Sequence, residues 1–378
     1  MSKKYGIFIT ALFCAFLGLF LAANLLTPDR EFSPVENRYL QQRPTPTLKT
    51  LVSGKFMSQF ERYTTDQFVL RDAWTGLKSR AEVALGKREN NGVYLCAGDT
   101  LITRYDAPDP GAVAENLGHV DAFAEKAGVP VYFSLIPGAV SIWDDRLPQG
   151  APNADQGAVL EQAAASVPHA NWYDTGGLLR QHRDEDVFYR TDHHWTSLGA
   201  YYGYAALMEA LGLTPVPLAS YTAQTVSGSF YGTAYSTSGI HWIRPDSIQT
   251  YVPDEGVTVT SYTYDGQGRP TEEARALYVK SFLEEKDKYA MFLGGNQSLC
   301  VVRTPNTSAP KLLIVRDSYA DSLVPFLTPH FSEIHLVDLR YYKGSISGYI
   351  EENGIGAALV LYSVANFTSD GNLAWLDR

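Results

Sequence analysis

Short, continuous apolar segments alternate with amphipathic ones in the C-terminal part of the chain. Apolar runs at 312–315, 334–337 and 357–362 are separated by helical patterns at about 318–327 and 346–352. Strands that are apolar throughout are typical of parallel sheets, because helices cover both of their faces. These residues are therefore predicted to form a βαβαβ half of a doubly wound parallel sheet.

The same alternation begins earlier in the chain. A helical pattern over 112–127 leads directly into an apolar strand over 129–136, again as in a parallel α/β sheet. Two short apolar runs, at 93–95 and 101–102, flank a Gly-Asp turn and predict a small hairpin. The sequence thus predicts one α/β domain that extends over 51–378.

Two further segments have a different character. Between 51 and 85, apolar residues recur at helical spacings, which predicts amphipathic helices whose apolar side chains belong to the core. The residues concerned are Phe56, Phe60, Tyr63, Phe68, Trp74, Leu77 and Ala81. Residues 221–300 are rich in Gly, Ser, Thr and Tyr and are predicted to form a β-rich insertion that borders the functional site.

At the N-terminus, Lys3 and Lys4 precede an uncharged apolar run. Such a run is long enough to cross a bilayer, and lysines at its start favour the cytoplasmic side, so the rest of the chain is expected outside. Because the run exceeds the usual signal-peptide core, residues 1–28 are predicted to be a retained single-pass anchor. Cleavage near 21–23, which would release a secreted protein, is the alternative. The polar residues 29–50 are predicted to be a stalk without regular structure.

Composition narrows the functional class. The 378 residues are 45% hydrophobic, enough for a substantial core, and their 31 basic and 41 acidic residues give a formal charge of -10. No stretch rich in lysine or arginine suits a phosphate backbone, so a nucleic acid partner is not expected. A carbohydrate or an acyl ester is compatible with this charge. Cys96 and Cys300 either form one disulfide or remain separate buried thiols.

The first candidate chemistry is an acid two positions before an imidazole. Asp192, His193 and His194 lie in a Thr-Asp-His-His-Trp-Thr stretch, just before a helical pattern over 197–211. A carboxylate in this position can hold an imidazole in one tautomer and stabilise its protonated form. A metal site and a helix cap by Asp192 or Thr196 are the alternatives. The metal site is disfavoured, because adjacent side chains do not readily face one ion and the sequence shows no second ligand motif.

The second candidate is Ser318. It follows the predicted strand 312–315 within Arg316-Asp317-Ser318-Tyr319, at the turn into the next helical pattern. Open α/β sheets place their active sites at this edge, and N–H groups at a helix start help to bind an oxyanion. Capping of the helix by Asp317 or Ser318 is the structural alternative.

Together the two motifs favour catalysis over capping. A serine nucleophile needs an imidazole base, and the base needs an orienting carboxylate. Ser318, His194 and Asp192 supply all three. Their order along the chain is Asp, His, Ser, and the order is known to vary among such triads.

The Asp192-His193-His194-Trp195 stretch resembles the signature of the bacterial DHHW protein family, which is similar to the SGNH-like proteins of alginate O-acetylation. In those proteins an Asp-x-His-Trp motif precedes a serine turn of the type seen here as Asp317-Ser318-Tyr319. Further matches occur at 33–38, 66–68, 71–72, 91–94, 136–137, 145–148 and 338–342.

The resemblance implies a three-layer α/β fold of the SGNH-hydrolase type with a permuted motif order. Ser318 would be the nucleophile, His194 the general base and acid, and Asp192 its orienting group, and neither a metal nor a cofactor is expected. Three residues become candidates for binding the substrate or the oxyanion: Arg340, Tyr319 and Asn366. For the arginine a structural role is equally open. The usual oxyanion donors of SGNH hydrolases are not identifiable in the permuted order.

The implied activity is transfer of an acetyl group to a hydroxyl of a polysaccharide, with a partner membrane acyltransferase as the source of the acyl group. An esterase that uses water as the acceptor would need the same three residues. A non-catalytic glycan-binding or assembly protein is a further alternative, since 24 tyrosines and 6 tryptophans offer surfaces on which sugars stack.

Overall fold

The computed structural model describes residues 3–264 and 267–378. Four residues lie outside it: Met1 and Ser2 of the predicted anchor, and Asp265 and Gly266 of the predicted β-rich segment. The chain divides into two compact units. The smaller unit consists of Met1–Asn90 and Gly239–Trp242, and the larger of Asn91–Ser238 and Ile243–Arg378.

The smaller unit is mainly helical. Its helices are α1 (Lys3–Leu26), α2 (Leu48–Val52), α3 (Lys55–Asp66) and α4 (Arg71–Ala84). Its strands are β1 (Phe32–Ser33), β2 (Arg38–Tyr39) and β3 (Glu89–Asn90). The predicted N-terminal apolar helix is present as α1, whose 24 residues are long enough to cross a bilayer and include no buried residue.

Residues 29–50 contain more regular structure than their composition predicts. β1 and β2 form an antiparallel pair, and Arg38 in β2 donates hydrogen bonds to Asp66 of α3 at 2.9 and 2.5 Å. Arg71 of α4 likewise binds Glu36 at 2.7 Å. The charged residues of this segment, considered one by one, predict a solvated chain. In the structure they form ion pairs with residues of α3 and α4 instead. The expectation that this segment lacks regular elements is therefore wrong.

The predicted burial of the aromatic residues between 51 and 85 is also wrong. Phe60 is 40% exposed, Phe68 41%, Trp74 43% and Leu77 56%. Helical periodicity shows that a helix has one apolar face, but it does not show what covers that face. In the smaller unit, helices α3 and α4 form as predicted and part of their apolar face remains uncovered.

The larger unit contains the remaining helices and strands. Its helices are α5 (Pro110–Lys126), α6 (Ala139–Ile142), α7 (Gln156–Ser166), α8 (Thr175–Gln181), α9 (Ser197–Ala210), α10 (Thr233–Ser238), α11 (Val324–Leu327), α12 (Ile346–Asn353) and α13 (Val364–Phe367). Its strands are β4 (Val93–Cys96), β5 (Thr100–Thr103), β6 (Val131–Ile136), β7 (Asn171–Trp172), β8 (Gln224–Phe230), β9 (Asp246–Thr250), β10 (Thr258–Tyr264), β11 (Pro270–Arg275), β12 (Leu299–Arg303), β13 (Lys311–Arg316), β14 (Glu333–Val337) and β15 (Ala357–Ser363).

Eight strands form the central sheet, in the order β11-β10-β12-β14-β13-β15-β6-β7. The five strands from β14 to β7 run parallel, and β12, β10 and β11 continue the sheet in antiparallel pairing. The protein is therefore a mixed α/β protein with a large, mostly parallel sheet, as the alternating pattern predicts.

Strand β13 is the central strand whose carboxyl end leads into the candidate site. Its neighbours are β14 on one side and β15 on the other, and both pairings are parallel. Ile314 is aligned with Leu336 in β14 and Leu359 in β15, and all three side chains are buried. Because the two strands that follow β13 in the chain lie on opposite sides of it, a crevice is expected at its carboxyl end.

Segment 221–300 contains β-strands, as its composition predicts, but it does not form a single separate sheet. β8 and β9 pair with each other, whereas β10, β11 and β12 extend the central sheet. Cys300 in β12 and Cys96 in β4 are both free, buried thiols, so the disulfide left open by the sequence does not form in this structure.

Candidate active site

Ser318 lies directly after the carboxyl end of β13, as the sequence predicts. The backbone forms a 3-10 turn over Ser318–Ser322 and only then the short helix α11. The continuous helix predicted for 318–327 does not form, because Pro325 has no N–H group for the helical hydrogen bond and its ring excludes the preceding turn. The Asp317 carboxylate caps the turn by accepting a hydrogen bond from the Tyr319 N–H at 3.1 Å.

Asp317 also joins this turn to the end of the neighbouring strand. Its Oδ2 accepts hydrogen bonds from the Ser363 N–H at 2.8 Å, the Ser363 hydroxyl at 2.7 Å and the Asn366 amide at 2.8 Å. Asp317 is 3% exposed, so these bonds satisfy a buried carboxylate. The residue therefore fixes the Ser318 turn against β15, which is the capping role that the sequence left open for it.

The structure brings Ser318, His194 and Asp192 together. His194 Nε2 lies 2.8 Å from Ser318 Oγ, and His194 Nδ1 lies 2.6 Å from Asp192 Oδ1. When Nδ1 carries the proton that Asp192 binds, Nε2 presents a lone pair to the serine hydroxyl. The arrangement can thus remove a proton from Ser318 and return it, which is what a serine nucleophile requires.

Asp192 is held on both of its oxygens. Oδ1 also accepts the backbone N–H of His194 at 2.9 Å, and Oδ2 accepts the N–H and the hydroxyl of Thr233 at 2.7 and 3.0 Å. A carboxylate that is 3% exposed and bound in this way cannot rotate away from the imidazole. Thr233, at the start of α10, has no signal in the sequence that marks it as part of the site.

The electrostatics of the group favour a neutral His194 beside an ionised Asp192. Burial alone would raise the pKa of Asp192, but the two histidines and their hydrogen bonds hold it well below its ordinary value. Burial and the adjacent His193 lower the pKa of His194 below its ordinary value, against the opposing charge of Asp192. Although partial burial acts in the other direction, the charge of Asp192 raises the pKa of His193.

These shifts predict a pH dependence. A general base must be neutral, so activity should fall as the pH drops through the pKa of His194, and the lowered pKa places that acid limb below the ordinary imidazole value of about 6.5. The His193 ring lies 3.9 Å from the His194 ring. The His193→Asn variant removes its charge, so the pKa of His194 should rise and the acid limb of kcat/KM should move to higher pH.

The control for this prediction is His169→Asn. His169 is an exposed histidine bound to Asp121 at 3.0 Å. It contacts none of the residues of the hydrogen-bonded relay, which we define as Ser318, His194 and Asp192. Its replacement should leave the acid limb unchanged. An unchanged limb in His193→Asn, measured over the same pH range, would contradict the electrostatic account.

Two aromatic residues hold the relay in place. The Tyr289 ring stacks on the His194 ring at 3.8 Å, and its hydroxyl donates to the Ser318 carbonyl at 3.1 Å. Trp195, the last residue of the Asp-His-His-Trp motif, donates from its indole N–H to the Tyr319 carbonyl at 2.9 Å and to Ser322 Oγ at 3.0 Å. The motif thus binds the serine turn at both ends, through His194 and through Trp195.

Close packing at two glycines permits these contacts. A Cβ atom at Gly203 of α9 would lie 2.6 Å from the Trp195 ring, and one at Gly232 would lie 2.2 Å from Asp192 Oδ2. Both distances are shorter than any normal contact, so a side chain at either position would displace a residue of the motif. Neither glycine is distinguishable in the sequence from the other glycines of its segment.

A cavity of about 290 Å³ opens beside the motif. Its walls include Asp192, His193 and Tyr319 together with mainly apolar residues of β5 and α6. Thr233 and Asn366 also line it. A small, largely apolar cavity with a few polar groups at one wall is the usual form of a site for a small ligand or group.

The three further residues predicted to bind the substrate or the oxyanion lie differently with respect to this cavity. Tyr319 and Asn366 both line the cavity, and the Tyr319 hydroxyl donates to the carbonyl of His193. Arg340 is not among the described residues that line it, and its guanidinium binds Asp338 at 2.6 Å. The contacts of Arg340 favour the structural role left open for it, and a binding role for any of the three remains a prediction.

Asp192, His193 and His194 also form the one cluster of possible metal ligands among residues 3–264 and 267–378. Their ligand atoms lie within 4.8 Å of one another, closer than adjacent positions suggested from the sequence. The donor atoms of Asp192 and His194, however, already bind Thr233, Ser318 and each other. An ion would have to replace these bonds, so the donor set does not fit a resident metal.

A buried ion network lies next to the serine turn. Arg316, the last residue of β13, is 1% exposed, and its guanidinium lies 3.0 Å from Asp321 and 3.9 Å from Asp338. Burial raises the pKa of Asp321 to about 7, although Arg316 opposes this shift. The network connects Arg316 and Asp321, on either side of Ser318, to Asp338 directly after strand β14.

Removing the buried cation is expected to destabilise the fold. In Arg316→Met, the buried Asp321 carboxylate loses its cationic partner at 3.0 Å, whereas Asp338 keeps Arg340 at 2.6 Å. Breaking a buried pair in this way typically costs about 3–5 kcal/mol of unfolding free energy. Arg303→Met is the control, since Arg303 is half-exposed and pairs with Glu333 only at 4.0 Å, which corresponds to about 1 kcal/mol or less. Urea unfolding of both variants measures the difference, and equal stabilities would contradict the structural role of Arg316.

The family model for DHHW proteins matches residues 109–337, which include the Asp-His-His-Trp motif and the serine turn. The chain belongs to the DHHW protein family.

A solved structure and a curated relative show how much of the chain is similar to known proteins. A DHHW family protein from Eubacterium siraeum is 28% identical, covers 76% of this chain and 95% of its own, and has a TM-score of 0.65. The probable alginate O-acetylase AlgJ of Pseudomonas syringae pv. tomato is 25% identical over 210 residues, which are 53% of this chain. The match covers 51% of that protein, so the present chain spans about half the length of this curated relative.

Bacillus cereus PatB1, solved with a sulfonyl adduct, shares the fold of this DHHW protein. It is 20% identical, covers 73% of this chain and 96% of its own, and has a TM-score of 0.59. At this level of identity the likeness concerns the fold alone. The family model, the DHHW structure and the match to AlgJ confirm the resemblance to the DHHW family and to the alginate O-acetylation proteins that the motifs indicate.

Proposed function

We propose that this protein is a serine-dependent O-acyltransferase that acts outside the cytoplasm on a polysaccharide. The observation that carries the proposal is the hydrogen-bonded relay, with Ser318 Oγ 2.8 Å from His194 Nε2 and His194 Nδ1 2.6 Å from Asp192. The relay lies at the carboxyl end of a central parallel strand, beside a cavity of about 290 Å³. The similarity to proteins described as probable alginate O-acetylases supports acetyl as the acyl group.

In the first half of the proposed mechanism, Ser318 Oγ attacks the acyl carbonyl carbon while its proton passes to His194 Nε2. The bond between the acyl carbon and the donor oxygen then breaks, and the donor oxygen takes the proton from His194. An acyl ester on Ser318 remains. Asp192 stabilises the imidazolium that exists between these proton transfers, because its buried carboxylate stays ionised.

In the second half, a sugar hydroxyl replaces the donor. His194 Nε2 accepts the hydroxyl proton as the sugar oxygen attacks the acyl carbon, and the proton returns to Ser318 Oγ as the acyl–serine bond breaks. The cavity beside His193 and Tyr319 is proposed to hold the acyl group or the acceptor during both halves. Asn366 and Tyr319 line it and are the candidates for contacts with the oxyanion or the substrate.

The finer description of the fold also belongs to this proposal. The order of the motifs along the chain, with Asp192 and His194 before Ser318, is the inverse of the order in ordinary SGNH hydrolases. The serine turn after a central parallel strand supports an SGNH-like domain with permuted motifs and three layers. The β-rich segment 221–300, from which Thr233 binds Asp192 and Tyr289 stacks on His194, would be an insertion that completes the site.

The location follows from α1. We take residues 1–28 as a membrane anchor and 29–50 as the connection to a catalytic domain over 51–378, which would then lie outside the cytoplasm. The similarity to the alginate O-acetylation proteins supports the proposal that a membrane-bound acyltransferase delivers the acyl group. The acceptor would be a polysaccharide at the cell surface.

A product analysis tests transfer against hydrolysis. The full-length chain is incubated with 4-nitrophenyl acetate, with and without an oligosaccharide that bears free hydroxyl groups. We expect release of nitrophenol to increase with the acceptor, and mass spectrometry to find acetylated oligosaccharide. Free acetate as the sole product would favour the esterase, and no turnover under either condition would favour the non-catalytic glycan-binding protein.

A further inference from the structure

Exposed apolar side chains are concentrated in one part of the smaller unit. Outside α1, thirteen large hydrophobic residues among those the structure describes are exposed, and eleven of them lie between 39 and 85. The other two are Leu213 and Tyr341. Such a concentration in a soluble surface normally marks a contact with another molecule or with a membrane.

Helices α3 and α4 carry the centre of this surface. On α3, the rings of Phe56, Phe60 and Tyr63 follow one another at 5.9 and 6.1 Å, and Phe60 is 40% exposed. On α4, Trp74 and Leu77 are 43% and 56% exposed. We refer to the exposed apolar residues of α3, α4 and the loop between them as the α3–α4 face.

A shallow groove runs across the α3–α4 face. Phe68 and Trp74 line it together with Lys78, whose side chain is 69% exposed. Two other basic residues of the helices, Lys55 and Arg62, are also exposed. The groove therefore combines apolar side chains with an exposed cation, Lys78, which also lies 3.8 Å from Glu82, and the same helices carry two further exposed cations. Apolar side chains together with basic ones are the composition of helices that lie in a membrane interface.

The outer end of α1 contacts this face directly. Phe20 packs against Phe68 at 6.1 Å and against Trp74 at 6.0 Å between ring centroids. Asn24 accepts a hydrogen bond from the Val69 N–H at 2.9 Å. The α3–α4 face is therefore continuous with the surface of the apolar helix, and its position along α1 is fixed by these contacts.

That position defines a depth. Phe20 precedes the last residue of α1 by six positions, which is about 9 Å at the rise of about 1.5 Å per residue. If α1 spans a hydrocarbon layer of about 30 Å, the level of Phe20 lies near the outer boundary between acyl chains and headgroups. Phe68 and Trp74 must then lie at the same level, where aromatic side chains are enriched in membrane proteins.

We infer that the α3–α4 face lies in the outer leaflet of the membrane, with its aromatic residues among the upper acyl chains and its basic residues among lipid phosphates. The inference depends on the retention of α1 proposed above and does not depend on the acyl-transfer chemistry. Membrane contact on this face explains why the predicted core residues of 51–85 are exposed. It also gives the chain a second attachment besides the spanning helix.

Site-directed labelling of the full chain in lipid vesicles tests the inference. Cys14 is replaced by alanine, while Cys96 and Cys300 are buried and need no change. A single cysteine is introduced as Phe60→Cys or Leu77→Cys, and an environment-sensitive nitrobenzoxadiazole dye is attached. The matched control is Leu213→Cys, because Leu213 is 41% exposed but belongs to the larger unit.

In vesicles of phosphatidylethanolamine and phosphatidylglycerol, dyes at 60 and 77 should show blue-shifted emission. A nitroxide at the headgroup level should quench them more than one near the bilayer centre, and aqueous iodide should quench only the dye at 213. Quenching of 60 and 77 by iodide to the extent seen at 213 would overturn the inference. Protection of both from iodide and from lipid nitroxides would overturn it too, because a protein partner would then cover the face.

The outcome is separate from the catalytic proposal. The labels report depth in the membrane and not turnover, so the same measurement can be made on the Ser318→Ala variant. All labelled positions are exposed, so the substitutions leave the core unchanged.

Discussion

The Ser318→Ala variant is expected to lose acetyl-ester turnover by about 10⁴–10⁶-fold. Without the hydroxyl, no acyl ester forms, and the residual rate over water depends only on binding and on hydrogen bonds to the developing oxyanion. Alanine fits the space of the serine, and the bonds that fix the turn come from Asp317, Tyr289 and Trp195. The thermal midpoint of unfolding should therefore change little.

Ser308→Ala is the matched control for this variant. Ser308 is an exposed serine in the loop before β13, and its hydroxyl binds Asn306. Its replacement should leave the turnover of 4-nitrophenyl acetate unchanged. Substantial activity in a folded Ser318→Ala protein would remove the nucleophile from the account.

The Asp192→Asn variant is expected to lose about 10⁴-fold in kcat with little change in the structure of the loop. An asparagine can present its amide group to His194 Nδ1, which favours the tautomer with a proton on Nε2 and removes the lone pair that Ser318 needs. It also removes the negative charge that stabilises the imidazolium. Because the two oxygens of Asp192 bind His194 and Thr233, the amide can retain part of these bonds.

A double variant separates this mechanism from general damage. If Asp192 acts only through His194, Asp192→Asn combined with His194→Ala should be no less active than His194→Ala alone. Independent, multiplicative losses in kcat would show that Asp192 does not act through the imidazole. The comparison requires that each variant unfolds at a temperature near that of the native protein.

The sequence predicts the central elements of this fold because their signals are local. Strands β13, β14 and β15 are continuous apolar runs, and each is followed by residues typical of a turn or a helix start. The position of Ser318 follows directly, since a residue after a central parallel strand lies at the sheet edge where sites form. The chemistry of Ser318 and of the Asp192-His194 pair predicts that they meet, and in the structure the three residues are in contact.

Other parts of the site depend on contacts between distant segments. Tyr289 stacks on His194 from a 3-10 turn in a segment without clear periodicity, and Thr233 reaches Asp192 from the start of a six-residue helix. Neither residue type is unusual in such a segment, so no local pattern marks them. The membership of strands β10–β12 in the central sheet could not be predicted for a similar reason, because composition indicates strands but not their partners.

The exposed face of α3 and α4 shows a different limit. The spacing of Phe60, Trp74 and Leu77 predicts helices correctly, and it implies that something covers their apolar side. The prediction that the protein core covers that side is wrong, because these side chains are 40–56% exposed in the structure. Periodicity alone cannot distinguish a core from a membrane or a partner, since each buries an apolar face equally well.

The most direct test of the central claim is to trap the acyl-enzyme. The full-length protein is mixed with 4-nitrophenyl acetate without an acceptor, quenched with acid at early times and digested, and the peptides are analysed by mass spectrometry. The account predicts one added acetyl group on the peptide that contains Ser318, and its removal when an oligosaccharide acceptor is present before the quench. Turnover without any acetyl group on Ser318, or with the acetyl group on another residue, would contradict it.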